Sequence, residues 1–268
     1  MKGLISLNML MLATIILLPL TAVSTQAETQ DELQAIRSEL RAVQQELADM
    51  KRLLLSQKEM KTTEVKAATP PADPPLPIQM PIGESPFLGE EDAPVVLFEF
   101  TDYHCPFCRQ HVEQTYPRLV KEYVETGKLK IVLKEFPIQK LHPQAARAAM
   151  AAQCAGGQNQ YWPMHDLLFK HQARTSMEDM ASFASSLKLD KTRFIECMEQ
   201  GQYAAQIRAD FDLGVSAGVR GTPFFFFGAQ DHQAPGKITV NRYLYGAHSY
   251  ETFVQVIDGY LNKEQASN

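Results

Sequence analysis

The chain has 268 residues, of which 45% are hydrophobic and 21% are charged, and its formal net charge is −5. This balance is typical of globular proteins, so it excludes a wholly disordered or collagen-like chain and predicts one or two domains. The acidic excess also argues against a nucleic-acid partner, because such proteins normally carry a basic excess or patch.

The first segment, residues 1–27, has the pattern of a secretory signal peptide. Lys2 supplies a positive start, residues 10–20 are almost wholly apolar, and small residues follow near Ala27. The alternative is an uncleaved membrane anchor facing the periplasm, although the apolar stretch is short for a span of about 20 residues. We therefore predict cleavage and export to the periplasm, an oxidising compartment in which disulfides persist.

Apolar residues then repeat with a period of seven. Four leucines share one heptad position and three further apolar residues lie three positions after them: Leu33, Leu40, Leu47 and Leu54, with Ile36, Val43 and Met50. This spacing is typical of a coiled coil, so residues 28–62 are predicted to form a helix that assembles a homo-oligomer. The alternative is a helix folded back on its own domain, which usually buries a wider apolar face.

Prolines dominate the next segment, residues 63–86. It contains seven of them: Pro70, Pro71, Pro74, Pro75, Pro77, Pro81 and Pro86. Proline is incompatible with a helix interior or a central strand. The composition therefore predicts an extended, semi-rigid spacer.

Residues 87–268 are predicted to form one α/β domain. Apolar runs predict strands at 93–101, 130–136, 223–228 and 237–245. Helical patterns cover 105–126, with a kink at Pro117, several segments within about 141–217, and 250–261 at the end. This order predicts an α/β fold with a helical block inserted between its two halves.

The motif C-P-F-C at residues 105–108 lies where the first strand gives way to a helix. A helix N-terminus favours the thiolate, so Cys105 is the predicted nucleophile and Cys108, one turn further, the resolving thiol. The alternatives are a structural disulfide or half of a zinc site. Zinc would need two more ligands at suitable spacing, whereas Cys154 and Cys197 are single and distant, so we predict no metal.

Glu99 is the only acid in the first predicted strand, six residues before Cys105. An unpaired buried carboxylate usually has a raised pKa or a function. We hypothesise that Glu99 relays protons to Cys108. The alternative is a structural ion pair with Lys134 or Lys130.

A turn at Gly221-Thr222-Pro223 opens the third predicted strand. Proline suits a strand start because it cannot donate to the ladder. A cis bond before Pro223 would make a tight turn, and an ordinary trans loop is the alternative. The following run, Phe224–Phe227, is predicted to bury about half of its rings by alternation.

Together these segments resemble the DsbA-like branch of the thioredoxin superfamily over about residues 87–268. The resemblance rests on the stretch from Pro94 to the C-P-F-C motif, on W-P-M-H-D at 162–166 and on G-V-R-G-T-P at 218–223. It implies a thioredoxin fold with an inserted all-helical domain, thiol–disulfide exchange on exported proteins, and no cofactor. An amino-terminal coiled-coil extension would be an addition to that fold.

The resemblance also implies roles for single residues. Cys105 attacks and Cys108 resolves, Glu99 is the buried acid, and Pro223 is the cis-proline beside the disulfide. Thr222 would offer its backbone to an extended substrate.

Two residues around the cysteines are further candidates for contact with substrate. Well-known relatives carry His where this chain has Phe107, so we expect a weaker oxidant because a cationic donor to the thiolate is missing. His104 would compensate in part, or point into solvent.

A second disulfide is also implied, since some DsbA-like proteins carry one in the helical insertion. Cys154 and Cys197 lie on two predicted helices there. They would pair if their Cα atoms come within about 7 Å, and would otherwise be two free core thiols.

Three functions fit the sequence. The first is a periplasmic oxidase that introduces disulfides and is reoxidised by a membrane redox partner. The second is an oligomeric isomerase or reductase using the same site, which the coiled coil and the proline-rich spacer favour, whereas the domain itself favours the first. The third is a non-catalytic binding or scaffold protein, which would leave Glu99 and Pro223 unexplained.

Overall fold

The computed structural model describes residues 34, 36–52, 73–230 and 236–265, and the chain divides into two compact units, Met1–Pro71 and Ala72–Asn268. The predicted signal peptide lies outside the described residues, as do parts of the predicted coiled coil and spacer. Among the residues that are described, no helix is both long and apolar enough to cross a membrane.

In the first unit, residues 36–52 form a helix, α1. Its heptad residues keep more than half of their surface exposed: Ile36, Leu40, Val43, Leu47 and Met50. The helix agrees with the heptad pattern over this range. Self-association through it stays a prediction.

The second unit is built on one mixed sheet whose six described strands have the order β1-β6-β5-β3-β4-β2. The strands are β1 (Ile78–Pro81), β2 (Phe87–Leu88), β3 (Val95–Thr101), β4 (Leu129–Glu135), β5 (Phe224–Ala229) and β6 (Lys237–Tyr245). Central β3 runs parallel to β4 and antiparallel to β5. Its seven residues are all buried, as expected for an apolar strand covered on both faces.

Helices cover the sheet and form a separate block. The chain order is α2 (Pro106–Gln114), α3 (Tyr116–Leu119), a π-helical turn (Val120–Val124), α4 (Ala145–Gly156), α5 (Tyr161–Lys170), α6 (Met177–Ser186), α7 (Lys191–Gln200), α8 (Ala204–Ser216) and α9 (Tyr250–Gln265). The block α4–α8 lies between β4 and β5, which confirms the predicted α/β fold with a helical insertion. The helix predicted over 105–126 is divided near Thr115, because Pro117 has no N–H to continue the ladder.

The four consecutive phenylalanines of β5 contribute rings to both faces of the sheet. Phe224 and Phe226 belong to one hydrophobic cluster, and Phe225 and Phe227 belong to another on the opposite face. All four rings are fully buried. The prediction that half would be buried is wrong because alternation sends the rings to two faces that are both covered.

The folded unit begins earlier than the predicted boundary at residue 87. Ile78–Pro81, inside the predicted spacer 63–86, pairs antiparallel with β6 at the edge of the sheet. Proline is tolerated there because an edge strand leaves one side of its backbone unpaired. Residues 73–86 therefore belong to the fold, and the spacer prediction is wrong for them.

Candidate active site

The C-P-F-C motif joins the end of β3 to the start of α2. Cys105 is the N-cap of α2, and Pro106 occupies the first turn, where its missing N–H leaves no helical bond unmade. Cys108 lies one turn inward and is fully buried, whereas Cys105 keeps 5% of its surface. The local sequence thus places one sulfur at the surface end of the helix and the other beneath it.

Asp102 holds the loop that leads into the motif. One carboxylate oxygen accepts the backbone N–H of His104 at 2.8 Å. The other accepts the backbone N–H of Ile138 at 2.7 Å and lies 2.9 Å from Nδ1 of His142. The loop before Cys105 is therefore fixed to the segment that follows β4.

Gln172, just after α5, holds the same loop from the helical block. Its Nε2 donates to the carbonyls of Tyr103 at 2.7 Å and Cys105 at 3.1 Å. Neither residue carries a local sequence signal for this role, because Gln172 is distant in the chain from the loop and Asp102 is distant from Ile138 and His142.

The third part of the site is the turn before β5. The Thr222–Pro223 bond is cis, and the Cys105 thiol donates to the Thr222 carbonyl at 3.2 Å. The structure thus brings the predicted residues of two distant segments together at one sulfur.

The pKa of Cys105 is lowered to about 6, first by the Cys108 thiol, with further contributions from the Thr222 side chain and the amides of Cys108 and Phe107, while burial opposes the shift. The thiolate therefore dominates at neutral pH, which is the nucleophilic form. Burial lowers the pKa of His104 as well, so His104 is no permanent cation beside the sulfur.

Cys108 has the opposite character. Burial raises its pKa well above the ordinary value, and the neighbouring Cys105 raises it further. Cys105 therefore has the properties of a nucleophile and Cys108 those of a protonated partner, as thiol–disulfide exchange requires.

Glu99 lies buried on β3, and burial raises its pKa to about 8, against the opposing effect of Thr101. The ion pair considered from the sequence is not formed: Lys134 lies 3.1 Å from Asp210, and Lys130 donates to a backbone carbonyl. Glu99 is opposite Leu133 in the sheet, so the flanking lysines project to the other face.

The neighbour of Glu99 is His111, which the sequence analysis missed. Its Nε2 lies 3.7 Å from the carboxyl, and both side chains are buried. His111 is three residues after Cys108 in α2, so helical spacing was the available signal.

A second buried acid, Glu135, joins the helical block to the active-site loop. It accepts hydrogen bonds from Tyr161 at 2.8 Å and Gln153 at 3.2 Å, and Tyr161 in turn lies 3.0 Å from the Tyr103 hydroxyl. Burial raises the pKa of Glu135 to about 8.

The remaining predicted residues are placed as follows. Phe107 is exposed by 58% beside the cysteines. Cys154 and Cys197 form a disulfide between α4 and α7 with a Cα–Cα distance of 5.9 Å. Within the described ranges, no group of three or more His, Cys, Asp or Glu side chains could hold a metal ion.

Comparison with known proteins agrees with this geometry. A thioredoxin family model matches residues 82–258, and the chain belongs to this family. The chain is 28% identical over 159 residues to "Disulfide bond formation protein D" of Bacillus subtilis, which covers 55% of this chain and 69% of that protein. The predicted DsbA-like relationship is thereby confirmed.

Two further comparisons show how much of each protein the similarity covers. The chain is 35% identical over 150 residues to a protein of Salinispora tropica named "Na(+)/H(+) antiporter NhaA 3", but it spans only 22% of that protein. The structure of Wolbachia pipientis alpha-DsbA1 superposes with a TM-score of 0.60 at 21% identity, covering 70% of this chain and 96% of that one. That structural likeness confirms the thioredoxin-type fold.

Proposed function

We propose that the protein is a periplasmic thiol–disulfide oxidoreductase that introduces or exchanges disulfides in exported proteins through Cys105 and Cys108. The observation that carries this proposal is the placement of the Cys105 sulfur at the N-terminus of α2, 3.2 Å from the Thr222 carbonyl and with its pKa lowered to about 6. A structural disulfide would need neither the lowered pKa nor the adjoining turn.

In the oxidative direction, a substrate thiolate attacks Cys105 Sγ of the Cys105–Cys108 disulfide. A new S–S bond joins substrate to Cys105, and the electron pair of the broken bond goes to Cys108, which takes up a proton. A second substrate thiolate then attacks the substrate sulfur of the mixed disulfide, and Cys105 leaves as a thiolate. Because the Cys105 thiolate is stabilised, it is a good leaving group.

The substrate contacts lie around this sulfur. An extended substrate segment would pair with the backbone at Thr222, and the exposed ring of Phe107 would pack on its apolar side chains. His104, half-buried in the same loop, would contact the substrate on the other side of Cys105.

The direct test is the oxidative refolding of a reduced protein whose activity depends on its disulfides. The wild-type chain should accelerate recovery, and Cys105→Ser should abolish the acceleration while Cys108→Ser accumulates mixed disulfides. Full turnover by Cys105→Ser would refute the nucleophile. A redox titration gives the direction: about −120 mV supports an oxidase and about −270 mV a reductase or isomerase.

The exposed seam of α1 favours a second candidate, an oligomeric disulfide isomerase using the same site. Association through residues 28–62 would cover five apolar side chains and present several active sites together. The test compares the full chain with a chain lacking 28–62 in solution mass and in refolding of a scrambled-disulfide substrate. Isomerase activity that survives monomerisation would remove this role.

The same proposal includes the cellular location of the enzyme and its redox partner. The signal-like segment 1–27 supports export, and an oxidase would be reoxidised by a membrane redox partner. Cell fractionation with a tag after residue 268 tests the location, since an uncleaved anchor would keep the tagged chain in the membrane fraction.

A further inference from the structure

A cluster of buried polar groups lies around α2, the helix that carries Cys108. Glu99, His111 and His165 are almost wholly buried. Within the described chain, four of their polar atoms have no hydrogen-bond partner: Glu99 Oε1, both nitrogens of His111, and His165 Nε2. Buried polar groups are normally paired, so such a concentration next to a reactive thiol calls for an explanation.

The members of this cluster are close to one another. Glu99 Oε2 is 3.7 Å from His111 Nε2. The Tyr116 ring lies against both histidines, with centroid distances of 6.4 Å to His111 and 5.7 Å to His165. Burial lowers the pKa of His111 to about 3, and the electrostatic effect of His165 adds to this lowering.

The cluster reaches solvent at one end. His165 Nδ1 lies 2.9 Å from the carboxylate of Asp166, whose side chain is 66% exposed. Asp166 lines a cavity of about 590 Å³ between α2 and α5, together with Tyr116 and Trp162. We call this cavity the α2–α5 cleft.

At the other end the cluster approaches Cys108 through Thr101. Thr101 lies two residues after Glu99 on the same face of β3. Its hydroxyl is likewise buried without a hydrogen-bond partner among the described residues, and it lowers the pKa of both Glu99 and Cys108.

We propose that His111 and His165 carry protons between the solvent in the α2–α5 cleft and the Glu99 carboxyl. This proposal rests on the proposed exchange activity and adds the route by which Cys108 is protonated. The imidazoles pass a proton by accepting it on one nitrogen and releasing it from the other. They are proton-transfer residues that act through Glu99, and neither touches the substrate.

When the disulfide opens, Cys108 receives the electron pair of the broken bond and takes the hydroxyl proton of Thr101. Thr101 recovers a proton from the Glu99 carboxyl, which leaves Glu99 as a carboxylate. A proton from solvent enters by Asp166 and His165. Neutral His111 accepts it on one nitrogen and in the same step releases the proton of its other nitrogen to Glu99.

The resting proton sits on Glu99 because burial disfavours the carboxylate and raises its pKa to about 8, against the opposing effect of Thr101. The neighbouring ionisable side chains, His111 of α2, Tyr116 of α3 and Tyr103 of the loop, are uncharged at neutral pH, because burial lowers the pKa of His111 and raises the pKa of both tyrosines. Glu99 loses its proton as pH rises through about 8. The rate of disulfide opening per attacking thiolate should therefore fall above that pH, where the donor is ionised.

The test measures opening of the Cys105–Cys108 disulfide by excess dithiothreitol, quenched with acid and quantified by alkylation, in water and in deuterium oxide. His111→Phe and His165→Phe should each slow opening by at least about tenfold, because general acid catalysis contributes roughly 10²–10⁴-fold. His171→Phe is the matched control, since its ring stacks on Phe183 and lies outside the cluster. It should match the wild type.

A structural effect is separated from proton transfer by a double-mutant cycle with Glu99→Gln. If the histidines act through Glu99, adding His111→Phe to Glu99→Gln gives no further slowing and no solvent isotope effect. Additive slowing in the double variant overturns the proposal, and so do histidine variants as fast as the His171→Phe control.

Asp166→Asn keeps the test decisive if the core variants fail to fold, because Asp166 is exposed. It should slow opening in the wild-type background and leave the Glu99→Gln variant unchanged. The same degree of slowing in both backgrounds, or no slowing in the wild-type background, overturns the route. Failure of the wild-type disulfide to react at all would instead count against the exchange activity.

Discussion

At the scale of single residues, the reactivity of Cys105 depends most on its partner sulfur. The Cys108 thiol is the largest cause of the lowered pKa of Cys105, ahead of the Thr222 side chain and the helix amides. The helix N-terminus, which the sequence analysis emphasised, therefore acts together with a second thiol rather than alone. This ranking makes a prediction that separates the two causes.

We expect the alkylation rate of Cys105 to rise with pH around a midpoint of about 6 in the reduced wild-type protein. Cys108→Ala should move the midpoint upward, toward the ordinary value for cysteine of about 8.5, because the stabilising thiol is removed. Stopped-flow alkylation with iodoacetamide, monitored by mass, measures both midpoints. An unchanged midpoint in Cys108→Ala would assign the shift to the Thr222 side chain and the backbone amides instead.

Glu135 gives a prediction for stability against pH. Its folded pKa is raised to about 8 from an ordinary 4.5, so its contribution to stability is fully present below pH 4.5 and is lost as pH rises through about 8. Between these values the free energy of unfolding should fall by up to about 1.4 kcal/mol per pH unit from this group.

Glu135→Gln removes that contribution while keeping an oxygen that accepts from Tyr161 and Gln153. Urea unfolding at several pH values should therefore show a shallower decline for this variant. Glu196→Gln, exposed on α7, is the matched control and should keep the wild-type slope. A parallel decline in Glu135→Gln and wild type would contradict the assignment.

At the scale of elements, α8 packs closely on the sheet at a glycine, Gly214, which leaves less room for a side chain than the other helical glycines of the described residues. A Cβ at Gly214 would lie 2.7 Å from the Phe136 ring and 2.9 Å from the Phe100 ring. Those rings form the edge-to-face pair that covers one face of the sheet. Glycine at this position therefore sets how closely the helical block approaches β3 and β4.

Gly214→Ala should destabilise the protein by roughly 1–3 kcal/mol through overpacking, despite the better helix propensity of alanine. Gly259→Ala in α9 is the matched control, since a Cβ there meets nothing within 4 Å in the part of the chain that the structure describes. It should stabilise by about 0.5–1 kcal/mol. Thermal unfolding of both variants checks the opposite signs; a stabilised Gly214→Ala would show that the rings can move aside.

Local patterns predicted most elements because their causes are local. The bounds of β6 agree with the predicted 237–245, and a side chain four residues or fewer away caps a helix, as Asp190 does for α7. β1 was missed because its pairing with β6 joins residues that are far apart in the chain, while its composition resembles a spacer. The division of the helix after the motif was predicted as a kink, but its π-helical turn follows from packing.

The residues of the candidate site also fall into two groups, those with a local sequence signal and those without one. The motif at residues 105–108 and the Thr222–Pro223 turn carry local signals, so sequence alone located them. His111 and Gln172 gain their significance from what the fold places beside them, Glu99 in one case and the carbonyl of Cys105 in the other. A helical histidine and a loop glutamine have ordinary explanations until those contacts are known.

At the scale of the whole molecule, the two cysteine pairs have different roles. The Cys105–Cys108 pair lies at the junction of strand and helix and is held as two thiols in the structure. The Cys154–Cys197 disulfide lies inside the hydrophobic cluster of the helical block and closes a loop across 43 residues. Since it is buried and joins α4 to α7, it should stabilise the block without entering the exchange reaction.

Removal of this disulfide tests that separation. Cys154→Ala combined with Cys197→Ala should lower the free energy of unfolding by about 2–4 kcal/mol, because a loop of this length restricts the unfolded chain. The alkylation midpoint of Cys105 should stay at about 6 in the same variant, since the residues that lower its pKa, Cys108, Phe107 and Thr222, lie outside the helical block. Denaturant unfolding and the alkylation assay on one sample measure both quantities. A shifted midpoint would show that the helical block transmits strain to the active site, and an unchanged stability would show that packing alone holds α4 against α7.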